Sequence, residues 1–395
     1  MNQYWMRSSR AAHPYPKLTL FELIGGRNIR GKGDTEMKVG VLGSGNGGQA
    51  VAFEWAKAGH DIYMFDFEEF PKNIEAINKA GGITSEGELE GFQKVIYAGH
   101  DISEVIPDAD LVFVVGPAYS TEPFARVCKP YVKAGQNYVI CPSSCAGSIV
   151  FKNAIGLDIE DDSVVISETS TLPYAVRIVG DAKIAVYNRL KGGYFVAALP
   201  NKHTKLVFDI LSSVYAELEM AENILKTTLQ NANPVIHPTV TLLNAALIER
   251  TQGDFLFYEE GVTTGVGRLM KAVDDERIAI GKKLKTVVIP DPVLGMDQGY
   301  MAEATYDIGY SKAPGFKGIK AQSQLDHRYL NEDAGYGLAF LTDLAKHIGV
   351  MTPAMDAIIV IASYLMARDY RGEKLRTMKT LGLEKYSLEE LIEIL

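Results

Sequence analysis

Only seven histidines occur in 395 residues, and one of them, His237, stands between prolines in Asn233-Pro234-Val235-Ile236-His237-Pro238. An imidazole titrates near neutral pH, so His237 could pass a proton to or from a reacting carbonyl or amine. Taken alone, a histidine at the start of a helical pattern is more often a structural cap. A second cluster is Asp326-His327-Arg328-Tyr329-Leu330-Asn331-Glu332-Asp333. The planar fork of Arg328 suits a carboxylate held through two hydrogen bonds, and a buried acid such as Asp333 could orient and polarise a histidine. Spacing alone favours a plainer role for Asp333, as the N-cap of the helical pattern Gly335–His347. Tyr258-Glu259-Glu260-Gly261 is a further polar grouping, and Asp274-Asp275-Glu276-Arg277 reads as a solvated helix face with salt bridges.

The richest local pattern lies upstream, from Met37 to Asp66. An apolar run, Val39–Leu42, leads into Gly43-Ser44-Gly45-Asn46-Gly47-Gly48, which fits G-x-G-x-x-G, and a helical pattern and a second apolar run, Ile62–Phe65, follow. Gly43 would permit the tight turn, Gly45 the approach of a pyrophosphate and Gly48 close packing of helix on strand. The N–H groups of Ser44, Asn46 and Gly47 at the helix start would face the phosphates. Asp66 ends the second run, where a carboxylate can accept hydrogen bonds from both ribose hydroxyls. Phe67-Glu68-Glu69 follows it with no arginine, which repels a 2′-phosphate. NAD(H) is therefore the expected cofactor and NADP(H) the alternative. Two loops after later strands face the nicotinamide end in such folds: Gly116-Pro117-Ala118-Tyr119 and Pro142-Ser143-Ser144-Cys145. Pro117 and Ser143 are their candidate cofactor contacts, although both loops also read as ordinary turns.

The elements that must position these groups fall into two halves. Strand-like and helix-like runs alternate from 38 to about 200, which predicts a doubly wound parallel sheet. Gly82–Val95 reads as a hairpin-like excursion, Val95–Ala98, Leu111–Val115, Tyr138–Cys141, Val164–Ile166 and Ile184–Tyr187 as sheet strands, and Tyr194–Leu199 as the last. From about 205 the texture turns helical: Leu206–Leu225, Pro238–Arg250, Val266–Lys283, Gly335–His347 and Pro353–Tyr370. The expected organisation is an N-terminal extension (1–36), a Rossmann-type dinucleotide-binding domain (37–204) and an all-α substrate domain (205–395), with substrate in the cleft between the last two. Residues 1–36 lack sustained periodicity and the apolar core of a signal peptide. Met37 is the expected natural start, the upstream piece being a misassigned start or a dispensable extension.

Bulk properties narrow the partners. A net charge of −9 argues against nucleic acid or an anionic membrane, and the longest apolar run, Ala357–Ala367, is far too short for a membrane span. Cys128, Cys141 and Cys145 show no disulfide or zinc spacing, so no metal is expected. The picture is a cytoplasmic enzyme acting on small molecules, with a homodimer as the candidate assembly.

Taken together, the segments from Met37 to Leu395 resemble the opine dehydrogenase family of the octopine/nopaline type. The resemblance rests on Gly43–Gly48, on Glu168-Thr169 with Leu172-Pro173-Tyr174, and on Asn233-Pro234-Val235-Ile236-His237-Pro238. It rests also on Phe257-Tyr258-Glu259-Glu260-Gly261, Asp274–Arg277 and Arg328-Tyr329-Leu330-Asn331-Glu332-Asp333. It implies reduction by NAD(P)H of the imine formed between a 2-keto acid and an amino acid. It also implies His237 as the acid/base, Asp333 as its charged partner and Arg328 as a carboxylate anchor. The chain departs from the family pattern at Pro173-Tyr174-Ala175-Val176-Arg177 and at Pro117-Ala118-Tyr119-Ser120-Thr121, both substrate-facing. The rival expectation is an NAD-dependent reductase of a keto or hydroxy acid, of the ketopantoate reductase or glycerol-3-phosphate dehydrogenase type.

Overall fold

Runs of Val, Ile, Leu and Phe buried on both faces can be satisfied only inside a covered parallel sheet, and β1 (Lys38–Leu42), β6 (Leu111–Val114) and β7 (Asn137–Ile140) are such runs. The computed structural model describes residues 36–395; the expectation for 1–36 lies outside them, Glu36 apart. The other strands are β2 (Asp61–Phe65), β3 (Gly82–Gly87), β4 (Gly91–Lys94), β5 (Tyr97–Gly99), β8 (Val165–Thr169), β9 (Tyr174–Gly180), β10 (Lys183–Arg189), β11 (Tyr194–Leu199) and β12 (Leu218–Met220). Eight of these form the main sheet in the order β12-β11-β8-β7-β6-β1-β2-β5. From β8 to β5 its neighbours are parallel, while β11 runs antiparallel to β8. Chain order reverses direction between β1 and β6, and ligands sit beyond the carboxyl ends of strands at such a switch point.

Two expectations change here. Ile184–Tyr187 does not extend the main sheet, because β10 pairs with β3 and β9 in a second sheet ordered β4-β3-β10-β9. The Asn46–Lys57 helix packs between the two sheets, so the second sheet covers a helix the main sheet leaves half-exposed. The expected Leu206–Leu225 helix is two helices, Thr204–Leu211 and Ile224–Gln230, separated by β12, which pairs parallel with β11. The sheet thus continues past residue 204 before the helical texture takes over.

Beyond it, the Asn233–Leu243, Thr264–Lys283, Ala339–Ile348 and Pro353–Met366 helices converge on one apolar core with Phe195, Ala197 and Leu199 of β11. One face of the Thr264–Lys283 helix carries Met270, Val273, Asp274, Arg277 and Ile280, all fully buried. The solvated-face reading of Asp274–Arg277 is therefore corrected for these two residues. Arg277 Nε donates to Asp274 Oδ1 at 2.6 Å, and its other nitrogens cap the carbonyls of Leu229 and Ile289. Asp274 also accepts from the Tyr306 hydroxyl and the Asp291 N–H. The pair is an internal bolt joining three helical segments.

Candidate active site

The turn after β1 is shaped by contact between backbones. Gly43 has φ +106°, and a Cβ there would lie 2.2 Å from the Val115 carbonyl oxygen; one on Gly48 would lie 1.8 Å from that of Gly43. Any side chain at either position would push the turn off β6 or off its own helix. A Cβ on Gly45 would meet nothing within 4 Å, because that face opens on the cleft. The Asn46–Lys57 helix starts at this opening, its first N–H groups unpaired within the helix. A pyrophosphate fits such a cradle, both sterically and in charge.

Asp66 lies at the end of this cleft, with Ser44 behind it. The Ser44 N–H and hydroxyl both donate to Asp66 Oδ2, at 2.8 and 2.6 Å, and the Phe67 N–H donates to Oδ1 at 2.9 Å. Three of roughly four acceptor sites on the carboxylate are thus used. One is left for a ribose hydroxyl rather than the two expected. Ser44 itself is fully buried and acts by holding Asp66. Gly43, Gly45, Asn46, Gly47, Gly48 and Pro117 line the cleft, and Asn46 Oδ1 accepts from the Ile178 N–H, tying the turn to β9. Ser143 does not reach the cleft. Its hydroxyl donates to Glu168 Oε1 at 2.7 Å in a sealed cluster with Ser148, Thr227 and Thr228, and the neighbouring Ser144 lines the cleft instead.

The same cleft, about 910 Å³, runs on to His237, Arg328 and Tyr258. Pro234 in the first turn starts the Asn233–Leu243 helix, which carries His237 one turn in, so His237 is not a cap. Asp333 does not cap a helix either. It opens a π-helical stretch, Asp333–Leu338, in which the Glu332 carbonyl accepts the N–H groups of both Tyr336 and Gly337. Such widened turns re-aim side chains at functional sites. A Cβ on Gly337 would strike Pro234 Cγ at 2.7 Å, so glycine there lets the stretch lie against the His237 helix. The result is a 2.8 Å contact between His237 Nδ1 and Asp333 Oδ2, both side chains buried.

While Asp333 is ionised it can only accept, so Nδ1–H donates to it and Nε2 is bare until the pair takes up a further proton. The Tyr258 hydroxyl lies 3.3 Å from Nε2 and donates to it, while Tyr329 stacks on the imidazole at 3.9 Å. Burial pushes the His237 pKa well down, and the Arg328 charge adds to this. Burial lifts the Asp333 carboxyl to about 7, against the pull of Arg328. Between them the two groups hold one exchangeable proton close to neutral pH.

Arg328 begins the short Arg328–Asn331 helix and keeps its head half-exposed in the cleft. Burial opposes its charge, but Asp333 and Glu332 outweigh this and raise its pKa. Its Nη1 donates to Glu332 Oε2 at 3.2 Å. Glu332, which sequence reasoning left without a role, also accepts from the Ala118 N–H at 2.8 Å and the Ser144 hydroxyl at 3.1 Å. One buried carboxylate thus clasps the helical half to both loops that follow β6 and β7. Behind it the buried Arg376 donates to the Ser144, Cys145 and Ala118 carbonyls. The i, i+4 spacing of Arg328 and Glu332 was the one signal in the sequence for this clasp; nothing marked Arg376.

Comparison with known proteins agrees with the geometry. Residues 220–366 match the model of the NAD/NADP octopine/nopaline dehydrogenase alpha-helical domain, and 38–143 that of the NAD-dependent glycerol-3-phosphate dehydrogenase N-terminus. An opine dehydrogenase of Arthrobacter sp. (strain 1C) is 33% identical over 345 residues, covering 87% of this chain and 94% of that protein. The chain belongs to the opine dehydrogenase family. The octopine dehydrogenase structure with NADH and L-arginine superposes with a TM-score of 0.72 at 17% identity, over 90% of this chain and 98% of that one. Yersinopine dehydrogenase with NADP+ gives 0.66 at 13%, over 91% and 97%. At those identities the two structures show the fold: a Rossmann-like part carrying a helical one. As an opine dehydrogenase the chain is an NAD(P)-dependent oxidoreductase acting on a CH–NH bond, formed by reductive condensation of a 2-keto acid with an amino group.

Proposed function

We propose that the chain condenses pyruvate, or a close 2-keto acid, with an α-amino acid, using NADH. The convergence of His237, Asp333 and Arg328 at the end of the cleft that begins at Gly43–Gly48 carries this reading. The nucleotide-binding part (37–204) would hold the cofactor along β1 and β6, and the helical part (205–395) would bring the proton-handling groups over its reactive end. When bound, the dihydronicotinamide supplies a hydride.

Arg328, with most of its five donors open to the cleft, holds the keto-acid carboxylate. This places the keto carbonyl near His237 Nε2. The neutral amine attacks the carbonyl carbon, a C–N bond forms and one amine proton passes to the former carbonyl oxygen, which needs one more proton to leave as water and give a protonated C=N. The His237–Asp333 pair gives that oxygen its proton, and Asp333 stabilises the imidazolium before transfer. The C=N carbon held there is where the hydride would be delivered, which would leave the nitrogen as a secondary amine. Glu332 keeps the loops at 118 and 144 against Arg328, so that the anchor and the cofactor end hold register.

The single remaining acceptor on Asp66, with Glu68 and Glu69 beyond it, supports NADH over NADPH. Three buried, unpaired cysteines fit a cytoplasmic enzyme, and a homodimer remains the proposed assembly. The test is NADH oxidation with pyruvate, with and without added amino acid. Turnover that requires the amino acid supports this reading. Turnover on the keto acid alone supports the rival reductase and overturns it.

A further inference from the structure

The proposed reaction joins two molecules that each carry a carboxylate, and Arg328 can hold only one. A second guanidinium faces the same end of the cleft. Arg177 lies on β9, in the segment Pro173-Tyr174-Ala175-Val176-Arg177, and lines the cleft with His237 and Arg328. The one hydrogen bond of its guanidinium among the described residues runs from Nη1 to the carbonyl of the adjacent Val176, at 2.9 Å, and no carboxylate of the described residues pairs with it. Burial dominates the proton affinities of the groups around it, but the Arg177 charge is felt at all of them. It disfavours protonation of His237 and opposes the effect of burial at Tyr258, Tyr300 and Tyr329. Arg177, which shares the lining of the cleft with these residues, is thus within electrostatic reach of its reacting end.

The walls beside it are aromatic. Phe316 stacks on Tyr258 at 4.3 Å and on Tyr300 at 5.2 Å between ring centres, and all three rings line the cleft with Ile319. The acids that line the cleft are Asp66, Glu69 and Glu332. Asp66 and Glu69 flank the far, nucleotide end, and Glu332 is committed to Ala118, Ser144 and Arg328. A cationic side chain would find no free counter-charge beside these rings, whereas an apolar one would be buried on them.

We propose that Arg177 is the anchor for the carboxylate of the amino substrate, so that the partner is an α-amino acid with an apolar side chain seated on the Tyr258–Phe316–Tyr300 wall. This rests on the condensation reading. Two arginines lining the cleft with His237 would give each carboxylate its own anchor and bring the amine and the keto carbon together at Nε2. Arg177 contacts substrate and sets specificity; it moves no proton.

The test compares L-leucine and L-phenylalanine with their decarboxylated counterparts, 3-methylbutylamine and phenethylamine, and with L-arginine and L-glutamate. NADH is saturating, each amino substrate is varied at saturating pyruvate and pyruvate is varied at saturating L-leucine, and wild type is set beside Arg177→Gln and Arg177→Lys. The expected wild-type preference for amino acid over amine is about tenfold to a hundredfold in kcat/KM, the range for one charge-assisted hydrogen-bonded contact. L-leucine and L-phenylalanine should outrun the two charged amino acids. Arg177→Gln should abolish the carboxylate preference by raising the amino-acid KM while leaving the pyruvate KM within about threefold; Arg177→Lys should restore part of it. Arg177 is exposed on its strand, and an unchanged NADH Kd verifies that the variant folds. Equal use of amine and amino acid by wild type, or a rise confined to the pyruvate KM in Arg177→Gln, overturns the anchor. Better turnover of L-arginine or L-glutamate overturns the apolar wall. Absence of any amino-dependent turnover in wild type instead removes the condensation reading beneath it.

Discussion

Asp333→Asn isolates the part played by charge in the His237 pair. The asparagine carbonyl can still accept from Nδ1–H at the same 2.8 Å, so the imidazole keeps its orientation. What disappears is the negative charge that stabilises the protonated ring. Taking about 4 Å between charge centres and an effective dielectric near 20, the lost interaction is about 4 kcal/mol. That corresponds to about three pKa units, at 1.36 kcal/mol each. His237 is already pushed down by burial, and it would then give up its proton far below working pH. Loss of an acid/base group costs about 10²–10⁴ in rate. The expected result is a fall in condensing kcat of about 10²–10³, with the NADH Kd unchanged, followed through the loss of NADH absorbance. The residual rate should rise steadily on acidification, because the proton must now come from solution. A variant within about threefold of wild type at neutral pH would refute the pairing, since a partner worth about 4 kcal/mol cannot be silent.

Arg328→Gln should raise the keto-acid KM by about tenfold to a hundredfold, as expected for losing a charge-assisted contact; an unchanged KM removes the anchor. Wild-type kcat in the condensing direction, with both substrates saturating, should fall as pH rises through about 7. The Asp333 carboxyl titrates there and the His237–Asp333 pair gives up its shared proton; the oxidative direction should show the opposite slope, and a flat profile across that value contradicts the pair as proton donor. Arg277→Met leaves Asp274 buried without its guanidinium, the Leu229 carbonyl unpaired and the Ile289 carbonyl with Gln230 Nε2 alone. It should cost about 3–5 kcal/mol of stability, the penalty for stranding one partner of a buried ion pair. Thermal unfolding reads it, and a loss under about 1 kcal/mol would return the pair to a solvated role.

What could be read from the chain divides along physical lines. The cofactor turn was legible because its constraints are local: Gly43 and Gly48 are demanded by atoms a few residues away or on the adjoining strand. The apolar runs likewise announced a buried parallel sheet. The His237–Asp333 contact spans 96 residues, and no spacing rule reaches that far. Local chemistry in fact argued for caps at both residues, and only the resemblance to the opine dehydrogenases joined them. The π-helical stretch decides the matter, because it turns Asp333 inward where an α-helix starting at the same point would use it as a cap. The Asp274–Arg277 misreading has a different origin. Met270, Val273 and Ile280 stand at helical spacing on either side of that pair, so both charges fall on the apolar stripe. Charged residues on a stripe are expensive unless fully paired. Weighing the stripe before the charges would have predicted a buried, mutually satisfied pair. Helical spacing gives the same hint at Glu332, which stands four residues after Arg328 as an acid with a partner to hold. Reading charge against the periodicity that surrounds it thus reaches part of the site that motifs alone miss.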